Sequence, residues 1–310
     1  MQPTNDKPGS SILPRRAFIA TGLKAAGAGT LLALPGMGMA TRILSRGQPG
    51  YTVQGIIDTI LKEIPGAPFK QTVDTLKSGS PGQPVTAVVT TMFATVAVIR
   101  EAASRKANFI IAHEPTFYNH LDDTSFVPDN RVVHQKQELL DKLGISVWRF
   151  HDYWHAYSPD GIGYGVLKAA GWLPYYQPGK MVLSIPALTL QDLVSHLKRS
   201  LSITHLRVIG DLSQVCQRIG LLPGAAGGQM QITLAEKEKP DVLIVGELQE
   251  WETAEYIRDA RLLGSPICLI ILGHSVSEEP GMQWLAEWLP ARIPGLPVSH
   301  IASGEPFTWL

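Results

Sequence analysis

Residues 109–120 read FIIAHEPTFYNH, and polar side chains begin abruptly in the middle of this stretch. The first four residues are typical of a buried strand, whereas His113 and Glu114 add an imidazole and a carboxylate and Pro115 adds a rigid turn. In an open α/β sheet, ligands bind beyond the carboxyl ends of the strands. The stretch therefore predicts a core strand that delivers ligand-binding groups to the edge of a sheet.

Strand-like runs alternate with amphipathic helical patterns, such as RVVHQKQELLDKLG and LQDLVSHLKRSL, from about residue 53 onward. The predicted strands are 85–91, 107–112, 145–150, 180–185, 206–210, 218–222, 241–246 and 267–272. This alternation predicts an α/β fold with mixed, largely parallel sheets flanked by helices. Three prolines interrupt the rhythm in residues 173–190, and we expect a seam between two lobes there.

The histidines are unevenly placed, because four of the nine follow the ends of predicted strands. These four are His113, His151, His155 and His274. Nearby carboxylates are Glu114, Asp152 and Glu278. Imidazole nitrogens and carboxylate oxygens suit Zn, Mn, Fe, Co or Ni. Since such a cluster offers more donors than one ion needs, the sequence indicates a site for two divalent metal ions.

The segment GHSVSEEPG (273–281) places Glu278 four residues after His274. We expect a helix to begin near Ser277, with Ser277 as its N-cap, so that Glu278 faces back toward His274. His151 and Asp152 are candidates for a general base or for groups that orient a ligand, and the sequence leaves both roles open.

Packing or surface roles are the default for the remaining histidines, which are His120, His134, His196, His205 and His300. His120 follows the turn after the first strand and is a candidate for contacting a metal ligand. The glycine-rich segment LLPGAAGGQMQ (221–231) suits either an anion-binding helix start or a tight strand-to-helix turn. For the aromatic residues Tyr153, Trp154 and Tyr157, we expect a role in core packing rather than in lining a pocket.

Three stretches, taken in order, resemble the GTP cyclohydrolase I type 2-like family, also described as the NGG-interacting-factor-three-like proteins. They are IIAHEPTFYNH, VWRFHDYWHAYSPDGIGYGVLKAAGW and VLIVGELQEWETAEYIRDARLLGSPICLIILGHSVSEEPGMQWLAEWL. The matching family motifs are His-His-Pro, His-x-x-x-Asp and Gly-His-x-x-x-Glu. The resemblance runs from about residue 53 to the end of the chain. It implies a two-lobed α/β protein that forms a toroidal hexamer, with a dinuclear metal centre between the lobes.

The resemblance also implies a ligand set. The expected metal ligands are His113, Glu114, His155, His274 and Glu278, with Glu278 as the bridging carboxylate. Glu114 stands where the family has its second histidine, and His155 stands where it has an aspartate. Because these two departures exchange nitrogen and oxygen donors, they imply an altered metal preference and an unchanged number of ligands.

A further departure lies in the family's Gly-Asp-x-x-x-His segment, where Glu247 replaces the aspartate and Trp251 the histidine. The function that the whole pattern predicts is a metal-dependent hydrolase of a small, nucleotide-like or phosphorylated substrate, with His151 and Asp152 as the catalytic pair. A non-catalytic metal-binding or assembly protein is the alternative.

Residues 1–40 read as a targeting segment, since LPRRAFIA (13–20) resembles a twin-arginine export signal and small residues precede a cleavage point near Ala40. We expect an exported, periplasmic or extracytoplasmic protein whose folded part is 41–310. A disordered tail and a membrane anchor are the alternatives. Lys24 and several glycines interrupt the apolar run, so we expect no stable membrane insertion.

Composition restricts the other partners. Lys plus Arg and Asp plus Glu number 27 each, so no global basic field exists to hold DNA or RNA. Cys216 and Cys268 lie in strand-like apolar runs, which predicts buried thiols and no disulfide framework. The expected partners are therefore a small-molecule substrate and further copies of the chain.

Overall fold

The computed structural model of the chain describes residues 50–310, and within them ten strands form two five-stranded sheets. The predicted export signal lies outside the described residues. The first sheet has the order β1-β4-β3-β2-β10. Its strands are β1 (Leu76–Ser78), β2 (Val88–Thr91), β3 (Phe109–Ala112), β4 (Ser146–Arg149) and β10 (Val298–His300). All neighbours are parallel except β1 and β4.

The second sheet also has five strands, in the order β5-β7-β8-β9-β6. Its strands are β5 (Val182–Thr189), β6 (Arg207–Ile209), β7 (Val215–Leu222), β8 (Val242–Val245) and β9 (Cys268–Ile271). The central β7, β8 and β9 are parallel, whereas both edge strands are antiparallel to their neighbours. The predicted mixed, largely parallel sheets are confirmed.

Nine α-helices connect these strands within the described residues. They are α1 (Val53–Leu61), α2 (Val96–Ser104), α3 (Arg131–Leu143), α4 (Asp152–Ala156), α5 (Gly161–Ala169), α6 (Leu190–Ser200), α7 (Gly228–Glu238), α8 (Glu255–Leu262) and α9 (His274–Trp288). A π-helix at Glu250–Ala254 precedes α8. Side-chain oxygens of Thr95, Asn130 and Thr189 accept backbone N–H bonds at three of the helix starts, which fixes where these helices begin.

Both faces of the first sheet are covered by helices, because alternate residues of a strand face opposite sides. Ile110 of β3 packs in one cluster with residues of α2 and α3, including Leu140. Ile111, its neighbour, belongs to a second cluster with Ile56 of α1 and Leu285 of α9. The predicted flanking helices are therefore confirmed for this sheet.

The second sheet is covered in the same way. Ile244 of β8 packs in a cluster with Leu193 of α6, and Val245 packs on the opposite face with Leu234 of α7 and Ile257 of α8. Cys216 and Cys268 are buried free thiols, as predicted.

Helices α5 and α9 join the two cores. Ile162 at the start of α5 belongs to the first core, and Leu167 near its end belongs to the second. The helices cross so closely that a Cβ atom on Gly165 would lie 2.4 Å from the Cα of Gly281. A Cβ atom on Gly281 would lie 2.6 Å from the Cα of Ile162. Glycine at both positions is thus required for this contact between backbones.

The order of the chain differs in one respect from a simple division into halves. The second sheet starts at Val182, inside the segment 173–190 where we expected a seam, but β10 returns to pair with β2 of the first sheet. Among the described residues, no helix combines the length and the apolar character needed to cross a bilayer.

Candidate metal centre

The carboxyl ends of β3, β4 and β9 open into one cleft between the sheets. His113 and Glu114 follow β3 directly, His151 lies between β4 and α4, and His274 begins α9 after β9. The same cleft is lined by Glu114, His151, His155, His274 and Glu278. Parallel strands of two different sheets thus deliver donors to a shared space, as ligand binding at strand ends requires.

The start of α9 differs from the prediction. The helix begins at His274, because Gly273 takes a φ of 101° and serves as the N-cap, so Ser277 as N-cap is wrong. The Ser277 hydroxyl donates to the His274 carbonyl at 2.7 Å and accepts from the Gly224 N–H at 2.9 Å. Glu278 still lies one turn after His274, and its Oε2 is 3.2 Å from His274 Nε2.

An oxygen acceptor holds the Nδ1 atom of each of the two imidazoles that lie nearest the first sheet. His113 Nδ1 lies 3.1 Å from the carbonyl oxygen of Phe150. His151 Nδ1 lies 2.9 Å from Oδ1 of Asp152. With a proton on Nδ1, each Nε2 keeps its lone pair, which is the state that binds a metal ion.

The other two imidazoles are held by carboxylates. His155 Nδ1 lies 2.8 Å from Oδ2 of Asp160, and His274 Nδ1 lies 3.2 Å from Oε2 of Glu247. All four histidines at the strand ends therefore have Nδ1 beside an oxygen atom, so that Nε2 is the nitrogen that a cation would take; in His274 this Nε2 lies 3.1 Å from Oε1 of Glu114.

Glu114 and Glu278 lie among these Nε2 atoms. Oε1 of Glu114 is 3.1 Å from Nε2 of His274 and 3.9 Å from Nε2 of His151. Oε2 of Glu278 is 3.8 Å from Nε2 of His113. Each carboxylate therefore approaches imidazoles contributed by both sheets.

The donors form two overlapping groups that could each hold a metal ion. One consists of His113, His151 and His155, and the other of His113, Glu114 and Glu278. Within each group the ligand atoms lie within 4.8 Å of one another. His113 belongs to both groups, and His274 adjoins the second through Glu278.

Two of the candidate metal-ligand atoms are buried without a hydrogen-bond partner among the described residues. They are Nε2 of His113 and Oε2 of Glu278. An unsatisfied buried polar atom costs on the order of 1–3 kcal/mol, so natural proteins rarely leave one without a reason. A divalent cation would satisfy both atoms, and nitrogen and oxygen donors of this kind are its usual ligands. The residues present therefore fit the metal ions that the sequence predicts.

The pKa values of the histidines differ with their surroundings. Burial, together with the positive charges that His155 and His151 can carry, lowers the pKa of His113 well below its usual value. His113 is thus neutral, as a metal ligand must be.

His274 behaves in the opposite way. Burial opposes its charge, but hydrogen bonds that the imidazole donates to Glu114 and Glu247, together with the nearby negative charge of Glu278, outweigh that effect and raise its pKa to about 12. Three carboxylates around one imidazole show how strongly this part of the cleft attracts positive charge.

The predicted catalytic pair is held at the edge of the centre. Both oxygens of Asp152 are engaged, since Oδ1 contacts His151 and Oδ2 accepts bonds from Thr72 Oγ1 at 2.9 Å and the Val73 N–H at 3.0 Å. The structure places Asp152 as the group that orients His151 and brings His151 close to His113 and His155. A metal ligand is therefore a second possible role for His151 besides that of a catalytic base.

Three charged residues that matter here were absent from the sequence prediction. Asp160 orients His155 and also accepts the Gly163 N–H at 2.8 Å as the N-cap of α5. The Asp-Gly pair in SPDGIG is a helix-start signal that could have located this cap. Asp74 accepts the N–H groups of His151 and Tyr153 at 2.8 Å each, which fixes the start of α4. Its partners are distant in sequence, so no local signal indicates this contact.

The third missed residue is Arg149, whose side chain is fully buried on β4. Its Nη2 lies 3.5 Å from Oε2 of Glu114. The only sequence signal is an arginine within an otherwise apolar strand, which suggests a buried partner of opposite charge.

Glycines bring the second sheet close to the centre. A Cβ atom on Gly224 would lie 2.0 Å from Oε1 of Glu278, and one on Gly246 would lie 2.5 Å from Oγ of Ser277. The segment 221–231 therefore joins β7 to α7 by a turn that packs against the first turn of α9.

The cleft beside the centre has a volume of about 2120 Å³. Its walls include Phe93, Tyr164, Tyr176 and Lys180. Of the three aromatic residues near His155, Tyr153 and Trp154 are buried in the first core, as predicted. Trp251 is 72% exposed, and Glu247 takes the contact with His274.

Comparison with known proteins agrees with this architecture. Residues 75–306 match the family described as Duf34/NIF3 (NGG1p interacting factor 3), which is most of the chain. The chain is 24% identical over 220 residues to the GTP cyclohydrolase 1 type 2 homolog of Clostridium perfringens, covering 67% of this chain and 79% of that protein. It is 25% identical over 230 residues to the protein of the same name from Chlamydia pneumoniae, covering 69% and 82%.

Solved structures show the same fold. A Bacillus cereus protein related to NIF3 superposes with a TM-score of 0.67 at 16% identity, over 85% of this chain and 100% of that one. TTHA1606 from Thermus thermophilus superposes with a TM-score of 0.59 at 20% identity, over 81% and 96%.

Proposed function

The chain belongs to the Duf34/NIF3 family, and we propose that it is a metal-dependent hydrolase with a dinuclear centre between its two lobes. The proposed ligands are His113, Glu114, His155, His274 and Glu278. The observation that carries the proposal is the common arrangement of the imidazoles, each with Nδ1 beside an oxygen atom, so that Nε2 is the nitrogen that a cation would take. A purely structural role for these residues does not require that arrangement.

Two divalent cations held by these donors would supply Lewis acidity, which polarises a substrate and lowers the pKa of water toward neutrality. The residues of the chain hold and orient the other groups. Asp152 orients His151, whose side chain is partly exposed at the cleft, and we assign to His151 Nε2 the transfer of a proton. His151→Gln is expected to keep its metal and lose turnover; loss of metal would make His151 a ligand.

The size and lining of the cleft support catalysis over simple metal binding. Ligand sites usually measure roughly 300–1,000 Å³, so a cavity of about 2120 Å³ leaves ample room for an organic substrate beside the ions. Tyr164 and Tyr176 offer aromatic faces for a ring, and Lys180 offers a cation for a phosphate. We therefore propose a nucleotide-like or phosphorylated substrate.

The test combines metal analysis with assays of phosphoester hydrolysis and of cyclohydrolase activity. Wild-type protein should contain about two ions per chain and turn over at least one substrate. His274→Ala should lose both properties, whereas His134→Ala, at an exposed position on α3, should keep them. Bound ions without turnover would favour the non-catalytic metal-binding protein, and wild-type protein that binds no ion would refute both functions.

We also propose export by the twin-arginine route and assembly as a homo-oligomer, a hexamer by family resemblance. Export in the folded state would let the protein acquire its ions before it leaves the cytoplasm. Arg15→Lys together with Arg16→Lys should retain the protein in the cytoplasm, as measured by cell fractionation. Analytical ultracentrifugation of the mature protein measures the assembly, and a monomer would contradict the second part.

A further inference from the structure

Arg149 is a buried cation directly behind one of the metal-binding side chains. It lies on β4 opposite Ala112 of β3, and its side chain has no exposed surface. Its Nε donates to the His113 carbonyl at 3.2 Å, and its Nη1 donates to the carbonyl of His120. These two bonds tie Arg149 to the loop that carries the donors of the first sheet.

Both terminal nitrogens of the guanidinium lie near carboxylates. Nη2 lies 3.5 Å from Oε2 of Glu114, and Nη1 lies 3.7 Å from Oδ2 of Asp122. Asp122 is already paired with Lys77, at 3.0 Å. Since a guanidinium stays charged when buried and needs compensation there, Glu114 is the anion left to balance Arg149.

The two oxygens of Glu114 consequently have different tasks. Oε2 faces Arg149, while Oε1 lies 3.1 Å from His274 Nε2 on the side of the centre. A carboxylate can meet a guanidinium with one oxygen and a metal ion with the other, because it carries a full negative charge. A neutral imidazole at position 114 would leave the charge of Arg149 unbalanced and directed at the bound cation.

We propose that Arg149 is a positioning residue that fixes the donor at position 114 as a carboxylate oxygen and thereby sets the metal preference of the centre. The inference rests on the proposed metal centre and adds the residue that determines one of its donors. Carboxylate oxygen suits Mn²⁺, whereas imidazole suits Zn²⁺.

The experiment is a cycle of four proteins: wild type, Glu114→His, Arg149→Met, and the double variant. Zn²⁺ and Mn²⁺ binding is measured by titration calorimetry, and thermal unfolding is measured on the metal-free proteins. Glu114→His alone should weaken Zn²⁺ binding by about 10-fold or more, as expected for a disturbed ligand environment, although histidine is itself a good zinc ligand.

Adding Arg149→Met to Glu114→His should restore most of the Zn²⁺ affinity and shift the ratio of Zn²⁺ to Mn²⁺ affinity toward Zn²⁺. Unfolding of the metal-free protein should show the same rescue, because the unbalanced charge is removed. The matched control is Glu278→His, whose carboxylate faces His113 and His274, and Arg149→Met should not rescue it.

The inference is overturned if Glu114→His binds Zn²⁺ as tightly as wild type while Arg149 is present. It is also overturned if Arg149→Met has the same effect with glutamate and with histidine at position 114. If the Arg149→Met proteins do not fold, the Zn²⁺ affinities of Glu114→His and Glu114→Gln are compared instead. An affinity of Glu114→His as high as that of the wild type contradicts the role of Arg149. A wild-type protein that binds no ion refutes the proposed function, whereas these results with a metal-binding wild type refute only the role of Arg149.

Discussion

The two sheets place their donors at equivalent strand ends but hold them in different ways. In the first sheet, the oxygen atom that orients each imidazole is itself fixed: a backbone carbonyl for His113, and Asp160, anchored to the Gly163 N–H, for His155. In the second sheet, Glu247 orients His274 from an exposed position. Within the described residues, His274 is the one hydrogen-bond partner of the Glu247 side chain.

The difference teaches how a two-ion site can be divided between lobes. Donors whose partners are anchored lose little freedom when an ion binds, so the first sheet is preorganised for binding. The second sheet reaches the centre through close backbone approach at Gly224 and Gly246, and the carboxylate behind its imidazole, Glu247, is exposed. We expect the first sheet to dominate affinity and the second to adjust to the substrate.

The largest effect should come from His113, which belongs to both groups of donors. His113→Ala should sharply weaken metal binding at the centre, because it removes a fully buried donor that either candidate group would need. Elemental analysis after incubation with Zn²⁺ or Mn²⁺ measures this. His196→Ala is the control. His196 Nε2 contacts the Ala170 carbonyl, and His196 belongs to neither group of donors. Retention of two ions by His113→Ala would contradict the expectation that the first sheet dominates metal affinity.

The two orienting carboxylates provide the next test. Asp160→Asn should weaken metal binding about 10- to 100-fold, the usual cost of losing a partner behind a ligand. Glu247→Gln should cost less than about 10-fold, since Glu247 is 54% exposed and not anchored. Calorimetric titration of both variants compares them directly. Equal losses, or a larger loss for Glu247→Gln, would show that the lobes do not differ as described.

The crossing of α5 and α9 fixes the distance between the lobes. Gly281→Ala should reduce the free energy of unfolding by about 1–3 kcal/mol, because its Cβ would lie 2.6 Å from the Cα of Ile162. Gly163→Ala, whose nearest contact would be an ordinary 3.5 Å, is the matched control in the same region. Urea denaturation measures both, and a Gly281→Ala protein as stable as the control would mean that the helices can separate without cost.

The smallest effect is expected for Trp251. Its side chain is exposed, so Trp251→Ala should change stability by no more than about 0.5 kcal/mol and leave the metal content unaltered. Denaturation and metal analysis test this together. A loss of metal in this variant would show that the second lobe contributes to the centre at the position where the family resemblance places a histidine.

The sequence predicted the interior of the fold better than its edges. All eight predicted strands are present, because apolar runs such as VLIV and CLII mark buried strands at sheet centres. The short edge strands β1 and β10 were missed, since three residues carry too little pattern to be read locally. β7 begins three residues earlier than predicted, at Val215. Such ends depend on pairing with distant strands.

At the candidate centre, the sequence predicted the candidate metal ligands but not the residues that orient them. His113, Glu114, His155, His274 and Glu278 were predicted as donors, and the structure brings them together at one cleft. Their roles as metal ligands stay a prediction.

The supporting residues Asp74, Asp160 and Arg149 act through contacts that only the folded chain creates. The wrong start of α9 has a similar cause. Gly273 with positive φ begins the helix at His274, while the turn at Gly224 occupies the Ser277 hydroxyl.

The most direct test of the two-ion centre is the position of bound ions in crystals of the wild-type protein, found by anomalous X-ray scattering after incubation with Zn²⁺ or Mn²⁺. We predict two peaks per chain, each about 2.0–2.2 Å from Nε2 or carboxylate oxygen atoms of the donors around His113. Peaks only at exposed histidines such as His134 or His205, or none at all, would contradict the account.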